Sequence, residues 1–470
     1  MRKIIISAAI LLTLTLPIFA FDGFADIFDA PVEEVSVSSS SKSGFAITGS
    51  AGFSLEGFID QTNPKDSAVD IGGGLDIDLS WRGSIVDAKA NFSLRPSLEN
   101  ELSWIDVFTG LSIATFFEGG RVEAGLLKKE WGSGDGVHVV DVINAPDYRY
   151  GIVDDPLAMK VAEPMLYTTI GWNKSSFDLF YKPMLIPMLS EEDPEGRWSM
   201  MSTDALTEQF APLSFKIAIG NSPTTEELSQ LSKYQFGARF KQTLGPFDLG
   251  VIYYNGYHYQ PSYYVNNIDV DMLNPLGPSA SATIDVDFTR AQLFGLEATF
   301  VTGPLTFMVE GGFWLSEDFK NEKPDKFNNR WVYLAGMGIM IPGTSVYASV
   351  TYNGHYIMDF NEFTMGTTTD IPVDTLQALL SSDGKGYLNT ITAAIEVPLA
   401  REKVNIRLAG TYQIETQGFS LLPSVKWNIS DDLVFKASGR VLGSIGEGSP
   451  SIFESWKDNS SAKLEIAYLF

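Results

Sequence analysis

Hydrophobic and polar residues alternate along most of this chain. In the stretch after Lys403, Val404, Ile406, Leu408, Gly410 and Tyr412 fall on one side, and Asn405, Arg407, Ala409 and Thr411 on the other. Leu433, Phe435, Ala437 and Val441 alternate with Lys436, Ser438 and Arg440. Leu305, Phe307, Val309 and Phe313 alternate with Thr306, Met308, Glu310 and Gly312. Tyr234, Phe236, Ala238 and Phe240 alternate with Gln235, Arg239 and Lys241, and Phe247, Leu249, Val251 and Tyr253 share a side that excludes Asp248. Successive side chains of a strand point to opposite faces, so a period of two predicts strands with one apolar and one polar face.

Turn chemistry divides these runs. Short turns fall at Leu244-Gly245-Pro246, Thr302-Gly303-Pro304, Pro342-Gly343-Thr344, Ala400-Arg401-Glu402 and Ser430-Asp431-Asp432. Longer polar stretches lie between them at 259–283, 316–330, 357–386 and 444–461, with a short loop at 413–417. Short turns at one end and long loops at the other are the pattern of a transmembrane barrel. Counting runs from residue 43 gives 18 or 19 candidates. A closed barrel with both ends on one side needs an even number, so the expectation is about 18 strands, with 16 as the next count. Strand parity between 160 and 233 is not set by the pattern, and the polar, proline-interrupted stretch 190–209 is left open.

The two ends of the sequence agree. Arg2 and Lys3 precede an apolar run from Ile4 to Leu16, and Pro17-Ile18-Phe19-Ala20 closes it. This has the form of a secretory signal peptide, expected over 1–20, with cleavage after Ala20. The run is short for a span of roughly 20 residues. Residues 21–42, with Phe24, Ile27, Phe28 and the Ser39-Ser40-Ser41 tract, read as a periplasmic lead, and 43–470 as the barrel. The chain finishes with Leu464, Ile466, Tyr468 and Phe470 on one face. A terminal aromatic with apolar residues at every second position resembles the insertion signal read by the outer-membrane barrel-assembly machinery. Tyr468 and Phe470 are its candidate residues.

Composition narrows the classes. No window of about 18 apolar residues follows residue 20, so helical membrane spans are not expected. Charged residues make up 19% of the chain, lean for a protein wholly in water, and aromatics 12%. The net charge of -25 argues against nucleic acid as a partner. There is no cysteine, which excludes a lipoprotein anchor, disulfides and thiolate chemistry. A soluble sandwich also alternates, but turns its polar face to water. With an export signal in front, the reading is an all-β, transmembrane antiparallel β-barrel: apolar face to outer-membrane lipid, polar face to a wet lumen.

One segment departs from alternation. Val122, Ala124 and Leu126 alternate with Glu123, Gly125 and Leu127, and then Lys128 to Arg149 turns irregular while holding Trp131, Val137, Val139, Val140, Val142 and Ile143. Irregular backbone cannot sit against lipid, and that much apolar surface needs somewhere to bury. Folding into the lumen satisfies both. This makes Lys128, Lys129, Asp135, Asp141, Asp147 and Arg149 candidates for a pore constriction, the alternative being an external loop packed on its neighbours. Within it, Gly125 with Trp131-Gly132 and Asp135, then Asp141, Asn144 and Asp147, resemble an element of porin-like outer-membrane families, including alginate-export-type porins. Tyr234–Phe240, Phe247–Gly256 and Gly295–Phe300 resemble strands of the same group. The likeness covers about 120–310 and implies a porin-like barrel without a particular substrate. The group often has Asn-Pro where this chain has Asn144-Ala145-Pro146.

Lumen-facing charge follows from the alternation. Basic candidates are Lys182, Arg239, Lys241, Arg407, Lys436, Arg440 and Lys463, and acidic ones Asp178, Asp248, Glu297, Glu310, Glu396 and Glu465. The mixture gives no ring of a single sign. Gly132–Gly136 is only a fragment of a calcium repeat. Asp141, Asp147, Asp154 and Asp155 crowd one loop, yet no metal or other cofactor is assigned. His138, His258 and His355 lack an identifiable serine partner, so no catalytic residues are assigned and an enzyme is not expected; His258 and His355 suit an aromatic girdle. The expected function is passage of small polar solutes through a water-filled channel. The alternatives are a barrel handling apolar or amphipathic molecules, or a structural or adhesive surface barrel. Oligomeric state is not legible.

Overall fold

The computed structural model describes residues 44–59, 68–98, 104–153, 157–191, 196–199, 214–271, 279–362, 371–446 and 451–470. The expected signal peptide and lead lie outside the described residues, as do Asp154, Asp155 and most of the 190–209 stretch. The strands are β1 Gly44–Phe58, β2 Val69–Arg82, β3 Val86–Leu94, β4 Phe108–Phe117, β5 Gly120–Leu127, β6 Glu163–Trp172 and β7 Ser175–Lys182. Then come β8 Ser214–Ile219, β9 Gln235–Leu244, β10 Phe247–Tyr257, β11 Ser262–Asp271, β12 Ser279–Asp287, β13 Arg290–Thr302 and β14 Leu305–Ser316. The last are β15 Arg330–Met340, β16 Tyr347–Ile357, β17 Tyr387–Leu399, β18 Val404–Gln413, β19 Gly418–Asn428, β20 Leu433–Ser444 and β21 Ser461–Leu469.

Eighteen of these form one antiparallel sheet that closes on itself, as the count of alternating runs led us to expect. Closure is made by β21 pairing with β1, in the register Leu464–Leu55, Ile466–Phe53 and Tyr468–Ala51. The Phe470 N–H donates to Gly49 O at 3.0 Å, and Gly49 N–H donates back to Phe470 O at 2.9 Å. A closed sheet leaves no edge to satisfy, which matters where no water is at hand. The alternation reads directly as inside and outside. Phe45, Ile47, Phe53, Leu55, Phe294, Leu296, Ile406, Leu408, Ile466 and Tyr468 are exposed on the outer wall. Such an apolar belt is built to face lipid. Among the described residues no helix is long and apolar enough to cross a membrane.

The connections sort by length. Gly245-Pro246 and Gly303-Pro304 each close a tight hairpin, with the glycine at positive φ, 65° and 57°, where a side chain would be strained. The start of β1 and the last residues of the sequence lie at the same end as these turns: Gly44 pairs with Arg82, and Leu469 N–H donates to Asp432 O. The long connections gather at the other end. The expected loop 316–330 holds no helix or strand, but the other three expected loops do. The expected loop 259–283 contains β11 and much of β12, which with β8 make a separate three-stranded sheet. The 357–386 loop carries the helix Val373–Ser381, and the 444–461 loop the short helix Ile452–Ser455.

Candidate functional site

The segment after β5 turns into the barrel. Trp131, Val140 and Ile143 have no solvent exposure, and the cluster they join includes Tyr167, Phe180, Ile252, Tyr254, Leu293, Val332 and Leu334 from the inner wall. The Trp131 indole N–H donates to Tyr167 Oη at 3.0 Å, and its ring lies 5.2 Å from that of Phe180. On the wall beneath Val140, Gly295 and Gly312 leave room: a Cβ at either would come within 3.3 or 3.5 Å of that valine. The apolar residues of the irregular segment thus find their burial on inward-facing side chains.

Polar anchors fix it there. Glu310, on β14, accepts the backbone N–H groups of Ser133 at 2.6 Å and Gly134 at 2.7 Å on one oxygen, and of Val139 at 2.8 Å on the other. His138 Nδ1 lies 2.9 Å from the same carboxylate. One side chain therefore occupies the donors of a whole turn that would otherwise be buried without partners. Lys182, on β7, donates to Ile143 O at 2.6 Å and to Glu163 at 3.2 Å. Arg239, on β9, makes two hydrogen bonds to Glu297 at 2.7 and 3.0 Å and reaches Gly132 O at 3.3 Å. At the neck, Asn144 donates to Leu127 O and Val161 O and accepts Lys129 N–H at 2.7 Å. The motif residues Trp131, Gly132, Asp141 and Asn144 are thus the fastenings of this loop.

The constriction candidates fall into two groups. Lys128, Asp147 and Arg149 line the open cavity. The other three do not. Lys129 pairs with Glu123 at 2.8 Å, and Asp141 with Lys160. Asp135 is buried and accepts the Tyr347 hydroxyl at 2.6 Å. Burial pushes its carboxyl up to about 6, opposed by the Tyr347 hydrogen bond and the charges of His138 and Arg407. The lumen-lining candidates divide likewise. Lys436 and Arg440 line the cavity, whereas Lys182, Arg239, Glu310 and Arg407 are buried and Lys241 is half-buried, none of these five on the cavity. The two histidines expected in an aromatic girdle are inside instead. His355 is buried, and the ring of His258 lies 4.5 Å from Trp314 and 5.2 Å from Phe327. Among the described residues no group of three His, Cys, Asp or Glu is placed to hold a metal.

The open cavity, about 1330 Å³, lies against β1–β3 and β19–β21. Its charged lining is mixed: Glu56, Asp70, Asp76, Asp78, Asp106, Asp147, Asp432 and Glu465 against Arg95, Lys128, Arg149, Lys160, Lys436, Arg440 and Lys463. The signs are partly sorted. Asp70, Asp76 and Asp78 share β2, while Lys436, Arg440 and Lys463 share β20 and β21. Across from them, Arg149 is clamped by Asp147 at 2.9 Å and Asp106 at 2.6 Å. Of the strand charges in this lining, alternation singled out Lys436, Arg440, Lys463 and Glu465 and left out Glu56, Asp70, Asp76 and Asp78. It could not find Asp106 or Lys160, which arrive on irregular segments with no pattern to mark them.

No family model matches the chain, and no curated relative does. The likeness to alginate-export-type porins therefore stands on its motifs alone. Among solved structures, the chain is similar to OccK5 (OpdH) of Pseudomonas aeruginosa at 9% identity, over 91% of this chain and 98% of that one, with a TM-score of 0.47. It is also similar to mutants of the Rh. blastica porin. One has 9% identity over 91% of this chain and 100% of that one, with a TM-score of 0.37. Another has 10% identity, the same coverage and a TM-score of 0.38.

Proposed function

We propose that this protein is an outer-membrane channel for passive or facilitated passage of small polar solutes. The observation that carries the reading is the divided lumen. Inside an apolar outer wall, a wall-anchored loop fills one side and leaves a cavity lined by charges of both signs on the other. A charged, hydrated lining lowers the cost of moving a polar solute through a low-dielectric slab. Lys128, Asp147 and Arg149, with Asp106 and Lys160, are the constriction. The signal peptide at 1–20 exports the chain, 21–42 is a periplasmic lead, and the long-loop end faces the outside.

Single-channel recording in a planar bilayer tests this reading. Stepwise ohmic conductance in KCl is expected from the purified barrel; a folded barrel that conducts nothing would overturn it. Assembly has its own test. Tyr468 and Phe470 are proposed as the signal for the barrel-assembly machinery, and Phe470 also closes the sheet against Gly49. Deleting Phe470 is expected to leave an unassembled, protease-sensitive periplasmic chain. A normal heat-modifiable barrel from that variant would reject the signal.

A further inference from the structure

The barrel wall has one weak seam, and it lies beside the cavity. Between β19 and β20 the pairing runs through Leu421–Val441, stops, and resumes at Ser424–Ser438 in unchanged register. The residue that interrupts it is Pro423, sixth of eleven in β19 and so near mid-wall, opposite Gly439. Proline has no N–H, so a ladder hydrogen bond is missing there, in a setting where lipid supplies no substitute. Among the described barrel pairings, the other departure from regularity is the bulge at Asn91 and Phe92, which shifts register rather than leaving a gap.

Both faces of the seam suit an amphipathic molecule. Outside, Gly439 continues in register to Ala462 and on to Gly57, so the wall there is smooth and side-chain poor. Inside, Leu422 and Leu442 belong to an apolar cluster with Trp198, Ile452, Phe453 and Trp456. Leu422, Pro423, Gly439 and Arg440 all border the open cavity. The Arg440 guanidinium sits 4.5 Å over the Trp198 ring, and Lys436 on β20 and Lys463 on the neighbouring β21 line the cavity as well. This apolar surface stands next to Lys436, to Arg440, which is 3.8 Å from Glu56, and to Lys463, which is 3.1 Å from Glu465, a strip of cations that matches a single-chain amphiphile whose anionic head competes with those carboxylates.

We propose that the β19–β20 seam is a lateral portal, through which such an amphiphile passes between the cavity and the lipid. This goes beyond passage along the lumen, and the two are separable by experiment. The sequence has no cysteine, so a staple can be placed without background. Ser424→Cys with Ser438→Cys joins facing residues of the two strands next to the gap, and Pro423→Thr restores an N–H to the ladder. The probe is dodecanoate with a terminal diazirine, loaded into bilayers that hold the full-length barrel. In the unmodified protein, photolysis is expected to label Trp198 and Leu422, which line the cavity. Oxidising the staple should cut that labelling by about five-fold or more, reduction should restore it, and Pro423→Thr should lower it, because a paired wall is closed to lipid. Labelling of the outer apolar belt should stay as it was. Absent interior labelling in the unmodified protein, or interior labelling that ignores a formed staple, would overturn the portal. A barrel that labels inside but does not conduct would instead overturn the pore reading.

Discussion

The two sides of the lumen are built from the same alternating strands and hold opposite environments. From β6 round to β16 the inner wall is dry. Its charges are consumed in holding the loop or each other: Lys182 with Glu163, Arg239 with Glu297, Glu310 with a turn of backbone. From β20 round to β3 the inner wall is wet. Lys463 stands 3.1 Å from Glu465 with both side chains partly exposed, and Arg95 reaches Asp76 while its side chain stays 69% exposed. A charge in the first setting is expensive to break and invisible to a solute. A charge in the second is cheap to change and meets whatever passes. The fold uses inward-facing charge for two purposes, and the loop decides which.

Removing the loop breaks the contrast outright, and it is the largest effect expected. Deleting 133–145 removes the turn on Glu310 and most of the apolar surface that seals the dry side. Conductance in planar bilayers should rise by a factor of about two or more, with weaker selectivity, because the dry wall becomes lumen. A folded, heat-modifiable barrel of unchanged conductance would mean that the loop does not set the pore.

A single-residue form of the same break is Glu310→Ala. It strands several buried N–H groups at once, so a loss of about 3 kcal/mol or more is expected. Arg95→Ala in the wet half should cost below about 0.5 kcal/mol. Denaturant midpoints in detergent measure both. Equal losses in the two variants would erase the distinction between the halves.

The sequence showed one part of this arrangement plainly and hid the other. Period-two alternation sorts Ile406 and Leu408 from Arg407, and Phe307 and Val309 from Glu310, because a strand's geometry leaves no other choice. The same rule is silent about what a side chain meets once inside. Arg440 and Arg239 look alike in it, yet one borders open volume and the other lies beneath Gly132. The signal that separates them is non-local. Apolar content in an irregular segment, Trp131 and Val137 to Ile143, shows that something must be covered, though not which strands. The small sheet of β8, β11 and β12 was missed for a related reason. Its β12–β8 pairing is parallel and joins segments some 60 residues apart, so no local turn announces it.

Smaller in effect is a change of sign in the wet half. Lys436→Glu with Arg440→Glu adds acid to a cavity that already carries Asp70, Asp76 and Asp78 on β2. The cation-to-anion permeability ratio, read from reversal potentials in a salt gradient, should rise by about two-fold. The matching change in the dry half, Lys182→Met, should leave the ratio alone and lower stability, since Glu163 would keep a buried, unmatched charge.

A further effect concerns pH. Burial holds the carboxyl of Asp135 well above its ordinary value of 3.8, at about 6. In the folded state it therefore keeps a proton that the unfolded chain has already lost between those two values. Stability must fall as pH rises through that window and level off above it, the reverse of a salt-bridged carboxylate. The shift sets the scale at roughly 1–3 kcal/mol. Asp135 lies on the loop and Tyr347 on the dry wall, so the loss falls on the contact that keeps the loop in place. Limited proteolysis within 128–149 should be faster at pH 7.5 than at pH 5. In Asp135→Asn, which cannot ionise, the ratio of the two rates should fall towards one. A ratio that persists in that variant would assign the pH dependence elsewhere and leave the loop's hold on the wall to Glu310 and Lys182.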